Sequence, residues 1–318
     1  MRRKITFYPW RPTHVCQKGV NGQVLFYCLQ DRLVYYTIYC TEARKFGVKT
    51  LALCLMYNHV HALIQVGSKE ILSNFNGTVQ MMYAREFSKA STLPGQVFLH
   101  SFAWAHKTTD KDVRNCLAYI ANNPIEKHLC NNVLDYQWNF VSYALSSNPY
   151  SPIIHLRKVS YLLQTALARV KQLRRANQFL SHTVLNKLFE GLSVQEQRQL
   201  TDYIISQYSA IDHEVAAQYW GGSERMAASY QIVSGSEYDI SEEKEDDIPY
   251  RNMLREVRQR GYKGTEYQYL KESGNNFQRW FFDLQCFAPR WQVLRFLHLR
   301  PVPNRDPLEI RPAGLVFT

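Results

Sequence analysis

The pair of apolar segments between residues 48 and 66 constrains the fold of this chain more than any other feature. Residues 48–56 are rich in apolar side chains, and over residues 59–66 the apolar positions 60, 62, 64 and 66 alternate with positions 59, 61, 63 and 65. A period of two is typical of a strand that buries one face. Only Tyr57 and Asn58 separate the segments, which suits a tight turn. The sequence therefore predicts two neighbouring antiparallel strands.

Further predicted elements on either side of this hairpin complete an α+β domain. They are a strand at residues 13–17, a helix from an N-cap at Asp31 to a stop at Gly47, a helix at residues 73–88, and a helix at residues 110–122 closed by Asn123 and Pro124. The order of these elements predicts a ferredoxin-like antiparallel sheet that carries its helices on one side.

A second, all-α domain is predicted beyond a boundary rich in Ser, Asn and Pro at residues 146–152. We assign residues 1–148 to the α+β domain and residues 149–318 to the helical one. Helices are expected at residues 159–177 and 194–208, and an acidic linker near residues 234–248. Residues 277–285 and 290–299 have helix-turn-helix proportions, and a plain helical bundle is the alternative.

Charge and composition narrow the class of protein. The formal net charge is +11, and residues 1–150 carry 16 Lys and Arg against 8 Asp and Glu. This excess raises the expectation of a polyanionic partner. The chain has no apolar run of about eighteen residues and no apolar signal-peptide core, so we expect a cytoplasmic protein without a membrane partner. The seven cysteines form no CxxC pair, which favours buried thiols over a zinc ribbon.

Two histidines in the second strand are candidate metal ligands. His59 and His61 are two residues apart, so on a strand both imidazoles project from the same face and can converge on one divalent ion. A bare HxH pair occurs often by chance, and the alternative is two polar residues on a solvated strand face.

Tyr119 is a candidate nucleophile on the helix at residues 110–122. A tyrosine that attacks a DNA phosphate forms a phosphotyrosine, which conserves the bond energy for rejoining. The phenol has a pKa of ~10 and is a weak nucleophile at neutral pH unless a metal ion polarises the phosphate. Asn123 shares a helical face with Tyr119 because the two are four residues apart. The alternative is that Tyr119, one of 21 tyrosines, only packs in the core.

Several motifs in order along residues 13–145 resemble one family. Residues 53–64, which contain Tyr57-Asn58-His59-Val60-His61, resemble the histidine motif of the REP-associated tyrosine transposases, single-tyrosine HUH transposases of the IS200-like group. Residues 119–127 resemble the catalytic helix of that family, in which Tyr stands four residues before Asn-Pro. Further matches are His14-Val15, Lys18-Gly19, residues 95–98 and residues 135–140.

This resemblance implies an HUH nuclease domain that cleaves and rejoins single-stranded DNA near REP-like hairpins. His59 and His61 would bind Mg²⁺ or Mn²⁺, and Tyr119 would attack the scissile phosphate, becoming linked to the 5′ side and leaving a free 3′-hydroxyl. Asn123 would be the third metal ligand, or would only end its helix ahead of Pro124. The resemblance further implies a bacterial cytoplasmic enzyme. Relatives form dimers, which leaves a homodimer open.

Basic residues near these motifs are the candidate DNA contacts: Lys18, Lys107, Lys111, Arg114, Arg290 and Arg295. The basic leader, in which Arg2-Arg3-Lys4 and Arg11 are interleaved with Tyr8 and Trp10, would suit a clamp on the DNA backbone with stacking aromatic rings. Solvated surface cations and a disordered leader are the alternatives. The chain departs from the family at Tyr57, where Pro is common, and over residues 102–107, where basic forms are commoner.

Two other functions compete with a cleaving transposase. The first is a hairpin-binding regulator that has lost cleavage, although the intact set of His59, His61 and Tyr119 argues against it. The second is a hydrolase that uses water as the nucleophile, which would require further Asp or His ligands that do not occur at motif spacing. The sequence alone leaves the DNA target and the choice between a mobile element and a host-serving enzyme open.

Overall fold

A four-stranded antiparallel sheet forms the centre of the molecule. The computed structural model describes residues 6–91, 96–99 and 102–232, together with Met253 and Val293. The strands are β1 (Thr13–Lys18), β2 (Lys49–Leu55), β3 (His59–Gln65) and β4 (Ala103–His106), in the spatial order β2-β3-β1-β4. Each neighbouring pair is antiparallel. The predicted hairpin and the predicted first strand are confirmed, whereas β4 was not predicted.

The helices of the first half are α1 (Leu29–Lys45), α2 (Lys69–Ser91) and α3 (Asp110–Glu126). The resulting order β1-α1-β2-β3-α2-β4 is that of a ferredoxin-like domain, and the predicted α+β class is confirmed. The expectation that helices lie on one side of the sheet is wrong. Helices α1 and α2 pack on one face together with Val60, Ala62 and Ile64, and α3 packs on the other face together with Cys54 and Leu63.

Two predicted helix ends are also corrected. Cys28, not Asp31, is the N-cap of α1, and Asp31 lies three residues later, where its carboxylate accepts the backbone N–H of Cys28 at 3.3 Å. Helix α3 does not close at Asn123 and Pro124 but continues to Glu126. Pro124 cannot donate to the Ile120 carbonyl, but the helix continues past it, and the N–H of Lys127 reaches the Asn123 carbonyl at 3.1 Å.

The described part of the second half is helical, as predicted. Its helices are α4 (Tyr161–Arg175), α5 (His182–Phe189), α6 (Val194–Tyr208), α7 (His213–Gln218) and α8 (Ser223–Ile232). The acidic linker near residues 234–248 and the helix-turn-helix at 277–299 lie outside the described residues.

Helix α1 connects the two halves because it is buried on every side. It contacts α2 and β2 of the first half and α5 and α6 of the second. The Tyr36 hydroxyl donates to the Ile205 carbonyl at 3.0 Å, and the backbone N–H of Leu180 donates to Thr37 Oγ1 at 3.1 Å. The second-half helices α5 and α6 therefore pack directly on the helix that backs the sheet, and α4 packs on them. The division at residue 148 stays a prediction.

Candidate active site

The strand face that α3 covers carries the two predicted metal ligands. His59 and His61 project from β3 on this face, with ring centroids 4.8 Å apart. Tyr119 faces them from the middle of α3, and its ring centroid is 5.3 Å from that of His61. All three side chains are buried. The structure thus brings together residues that the sequence places far apart.

A third histidine belongs to this group. His14 lies on β1, the strand next to β3, and its Nε2 is 3.0 Å from His61 Nδ1. Its ring centroid is 5.9 Å from that of Tyr119. The sequence interpretation used His14 only as a family match and missed it as a site residue. The sequence placed His14 on a predicted strand, but it did not reveal that this strand lies beside the strand of His61. That neighbour depends on the order of strands in the sheet.

The hydrogen-bond partners of the histidines indicate which ring nitrogens are available to a metal ion. His59 Nδ1 is 2.6 Å from the carboxamide oxygen of Asn58, an acceptor, so the proton is on Nδ1 and the lone pair on Nε2. In the tautomer in which His61 Nδ1–H donates to His14 Nε2, the lone pair of His61 is likewise on Nε2. Metal-binding histidines commonly donate their other N–H in this way.

Burial favours the neutral form of His14 and His61, and the neutral imidazole is the form that binds a metal ion. The pKa of His14 is lowered to about 3, first by burial and then by the nearby charge of Lys107. Burial also holds the pKa of His61 well below its usual range, with smaller contributions from His59, His14, Lys18 and Lys127.

The amide of Asn123 supports the fit of a metal ion. Asn123 is fully buried one turn after Tyr119, and neither its Oδ1 nor its Nδ2 has a hydrogen-bond partner in the described part of the chain. Leaving a buried polar group unsatisfied costs about 1–3 kcal/mol, so such a group calls for a ligand. Among the described residues no group of three His, Cys, Asp or Glu side chains forms a metal site, so an amide oxygen would have to complete the set.

The turn that leads into β3 is held in place by the chain around it. The Tyr57 carbonyl accepts the backbone N–H groups of Leu25 and Phe26 at 2.6 and 3.1 Å, and the Asn58 carbonyl accepts that of Gly19 at 2.9 Å. A Cβ on Gly19 would lie 2.3 Å from the Gln23 carbonyl oxygen, so only glycine fits there. The start of β3, with His59, is thereby fixed.

The candidate DNA contacts are distributed unevenly. Lys18 ends β1 and Lys107 follows β4; both are near enough to the histidines to lower their pKa. Lys107 is buried, and Lys111 is exposed in the first turn of α3 with half-buried Arg114 after it. In the leader, Arg11 stacks over the ring of Tyr8 at 4.8 Å, and the Lys49 ammonium lies 5.8 Å from the Trp10 ring. Arg290 and Arg295 lie outside the described residues.

One protein family matches a segment of the chain that includes most of this site. Residues 24–123 match the family described as "Transposase IS200 like", and this segment contains His59, His61, Tyr119 and Asn123. A solved structure described as "Structure of the REP associates tyrosine transposase bound to a REP hairpin" is 13% identical, with a TM-score of 0.40, and covers 50% of this chain and 96% of its own. No curated protein matches.

In the described part of the chain, no helix has the length and apolarity needed to span a membrane. The resemblance to the IS200-like transposases is confirmed.

Proposed function

We propose that this chain, whose residues 24–123 are those of an IS200-like transposase, is a metal-dependent endonuclease and strand transferase for single-stranded DNA. Its DNA would carry a REP-like hairpin beside the cleavage site. The observation that carries the proposal is the contact between Tyr119 and His61, whose ring centroids are 5.3 Å apart although the residues lie on different elements. A tyrosine beside buried imidazoles that can hold a metal ion suits phosphotyrosine chemistry, because metal coordination is one way to activate such a nucleophile.

The proposed reaction exchanges one phosphate ester for another. The Tyr119 hydroxyl oxygen forms a bond to the scissile phosphorus, and the bond from phosphorus to the 3′-oxygen breaks. The phenol loses a proton and the leaving oxygen gains one, which leaves a free 3′-hydroxyl and a 5′-phosphotyrosine. Since no bond energy is lost to water, a 3′-hydroxyl can attack the phosphotyrosine and rejoin the DNA.

His59 and His61, through Nε2, and Asn123, through Oδ1, would hold the Mg²⁺ or Mn²⁺. When bound, the ion would supply charge neutralisation at the phosphate, which offsets the weakness of a phenol as nucleophile. His14 would act on His61 rather than on the DNA, because its Nε2 engages the Nδ1 of His61. Lys18 and Lys107 next to the histidines, and Lys111 and Arg114 on α3, are the proposed contacts to the bound strand.

Covalent capture tests this proposal. Single-stranded hairpin DNA labelled at its 3′ end is incubated with the protein and Mn²⁺, because the fragment joined to Tyr119 keeps that end. We expect an SDS-resistant protein–DNA adduct from the wild type and none from Tyr119→Phe. Tyr39→Phe is the matched control, since Tyr39 is buried on the opposite side of the sheet, and it should form the adduct.

Two results would overturn the proposal. An adduct that persists in Tyr119→Phe would assign the nucleophile to another residue. Hairpin binding without any adduct, in both Mg²⁺ and Mn²⁺, would instead favour a regulator that binds such DNA and does not cut it.

A further inference from the structure

A long stretch outside the matched segment is strongly basic. Residues 136–189 contain seven Lys and Arg and no Asp or Glu, so their net charge is +7. The seven are Arg157, Lys158, Arg169, Lys171, Arg174, Arg175 and Lys187. An acid-free run of this length is not expected from ordinary surface composition, in which both signs are interspersed.

Most of these cations lie on the outer surface formed by α4, the turn before it and α5. Helix α4 buries Leu163, Leu167, Val170 and Leu173 against its neighbours. Arg174 has a structural partner, because its Nε donates to the Gln207 carbonyl at 3.1 Å. The remaining six, which we call the basic face, are exposed: Arg157, Lys158, Arg169, Lys171, Arg175 and Lys187.

Carboxylates of the described residues do not pair with the basic face, although Glu196 lies at its edge, where it accepts the backbone N–H of Ser160 at 2.9 Å. None of its six cations makes an ion pair with a carboxylate in the part of the chain that the structure describes. Clustered like charges repel one another and weaken a fold unless an anion binds to them. The two arginines at the end of α4 also favour the helix dipole, but this does not account for Arg157, Lys158 or Lys187.

Exposed apolar side chains stand among these cations. Tyr161, the first residue of α4, is 81% exposed, and Leu162 next to it is 51% exposed. Ile153 and Leu156 in the preceding segment are also exposed. A phosphate backbone contacts cations, and an unstacked base stacks on an aromatic ring, so this combination is suited to single-stranded nucleic acid.

We propose that the basic face, with Tyr161, binds a second single-stranded DNA segment that is separate from the strand cleaved at Tyr119. Helix α4 packs on α5 and α6, which in turn pack on α1. Helix α1 lies on the sheet face opposite to α3, so the basic face and Tyr119 are on opposite sides of the sheet. This inference rests on the proposed DNA-processing function, but it concerns binding and not cleavage.

Salt-dependent binding tests the cations. Tyr119→Phe protein is titrated with an unstructured single-stranded thymidine oligomer at several salt concentrations. The triple variant Arg169→Gln/Lys171→Gln/Arg175→Gln should bind more weakly, and its slope of log affinity against log salt should be shallower by about 2, because three contacts are lost. The control Lys69→Gln/Arg85→Gln/Lys89→Gln removes the same charge from exposed positions of α2 and should leave the slope nearly unchanged.

Base stacking tests Tyr161. Tyr161→Ala should weaken binding of the thymidine oligomer about fivefold or more, with no effect on an abasic oligomer of the same length. Equal losses in the two triple variants would overturn the proposal. An equal loss of affinity for duplex and for single-stranded DNA in the α4 triple variant would also overturn it. That result would indicate a surface that binds polyanions in general, among them the acidic residues 237–247 of this chain. If the wild-type protein, with Tyr119 intact, formed no adduct, the proposed cleavage function would be wrong. The binding results described here would be unaffected.

Discussion

The two faces of the sheet hold the same kinds of residue for different purposes. On the face of α1 and α2, the buried side chains of Gln17, Tyr35 and Asn76 form a chain of hydrogen bonds within the protein. The Tyr35 hydroxyl donates to Gln17 Oε1 at 2.7 Å, and the Gln17 amide donates to Asn76 Oδ1 at 2.6 Å. On the face of α3, Tyr119 lies among imidazoles, and the Asn123 amide has no hydrogen-bond partner within the described residues.

Strand β1 shows how sharply the two faces are separated. His14 and Gln17 are three residues apart and both buried, yet one points to the histidine group and the other to the aromatic core. Burial and residue type are therefore insufficient to identify a functional group. What distinguishes the α3 face is that three histidines and a tyrosine from three different elements lie in ring contact with one another.

The largest expected difference is between two separate substitutions at neighbouring positions of β3. His61→Ala should lower adduct formation about a thousandfold or more, since it removes a metal ligand that supports charge neutralisation. Val60→Ala, one residue away on the other face, should leave the reaction nearly unchanged but lower the free energy of unfolding by about 2 kcal/mol. Adduct yields and denaturant unfolding of both variants check this. Loss of the reaction in folded Val60→Ala would break the distinction between the faces.

A smaller effect is expected at His14, because it acts through His61. His14→Leu removes the acceptor for His61 Nδ1–H and should raise the Mn²⁺ concentration needed for half-maximal adduct formation about 10- to 100-fold. His14→Gln keeps an acceptor oxygen and should restore part of the loss. If His14→Leu lowered the maximal rate at saturating Mn²⁺ and left the Mn²⁺ dependence unchanged, the positioning role would be wrong.

Substitution of Asn123 distinguishes a role as metal ligand from a purely structural role. The structure already shows that Asn123 does not end its helix, since α3 continues to Glu126. Asn123→Leu has a similar volume and removes an unsatisfied amide, so the free energy of unfolding should stay the same or rise by about 1 kcal/mol. Adduct formation should nevertheless fall about tenfold. A variant that is less stable but fully active would show that the amide serves packing and not the metal ion.

The sequence predicted those parts of the fold and site that depend on short-range spacing. The period of two in β3 placed both histidines on one face, and the helical spacing of α3 placed Tyr119 above Asn123. It failed where contacts depend on topology. Strand β4 has only four residues and becomes a strand by pairing with β1. His14 meets His61 because β1 lies beside β3, which no local pattern records.

The smallest expected effect concerns the pH dependence of stability and comes from a histidine on the α3 side of the sheet that lies outside the site. His213, at the start of α7, is half-buried on the α3 side of the sheet, and desolvation lowers its pKa to about 4, against an opposing effect of the Asp212 charge. An unfolded chain would protonate it near pH 6.5. Between these values the unfolded state binds more protons than the folded state, so stability is complete above about pH 6.5 and falls as the pH drops towards 4.

Denaturant unfolding at several pH values between 7.5 and 4.5 would measure this loss, which for one histidine is at most about 1.4 kcal/mol per pH unit. His213→Gln should give a shallower decline, with adduct formation at neutral pH unchanged because His213 is not part of the group around His61. His14, with its pKa lowered to about 3, should account for part of the decline that remains. An unchanged slope in His213→Gln would mean that its imidazole is accessible to protons in the folded state. Loss of the adduct in that variant would mean that the active site includes His213 as well as His14, His59, His61, Tyr119 and Asn123.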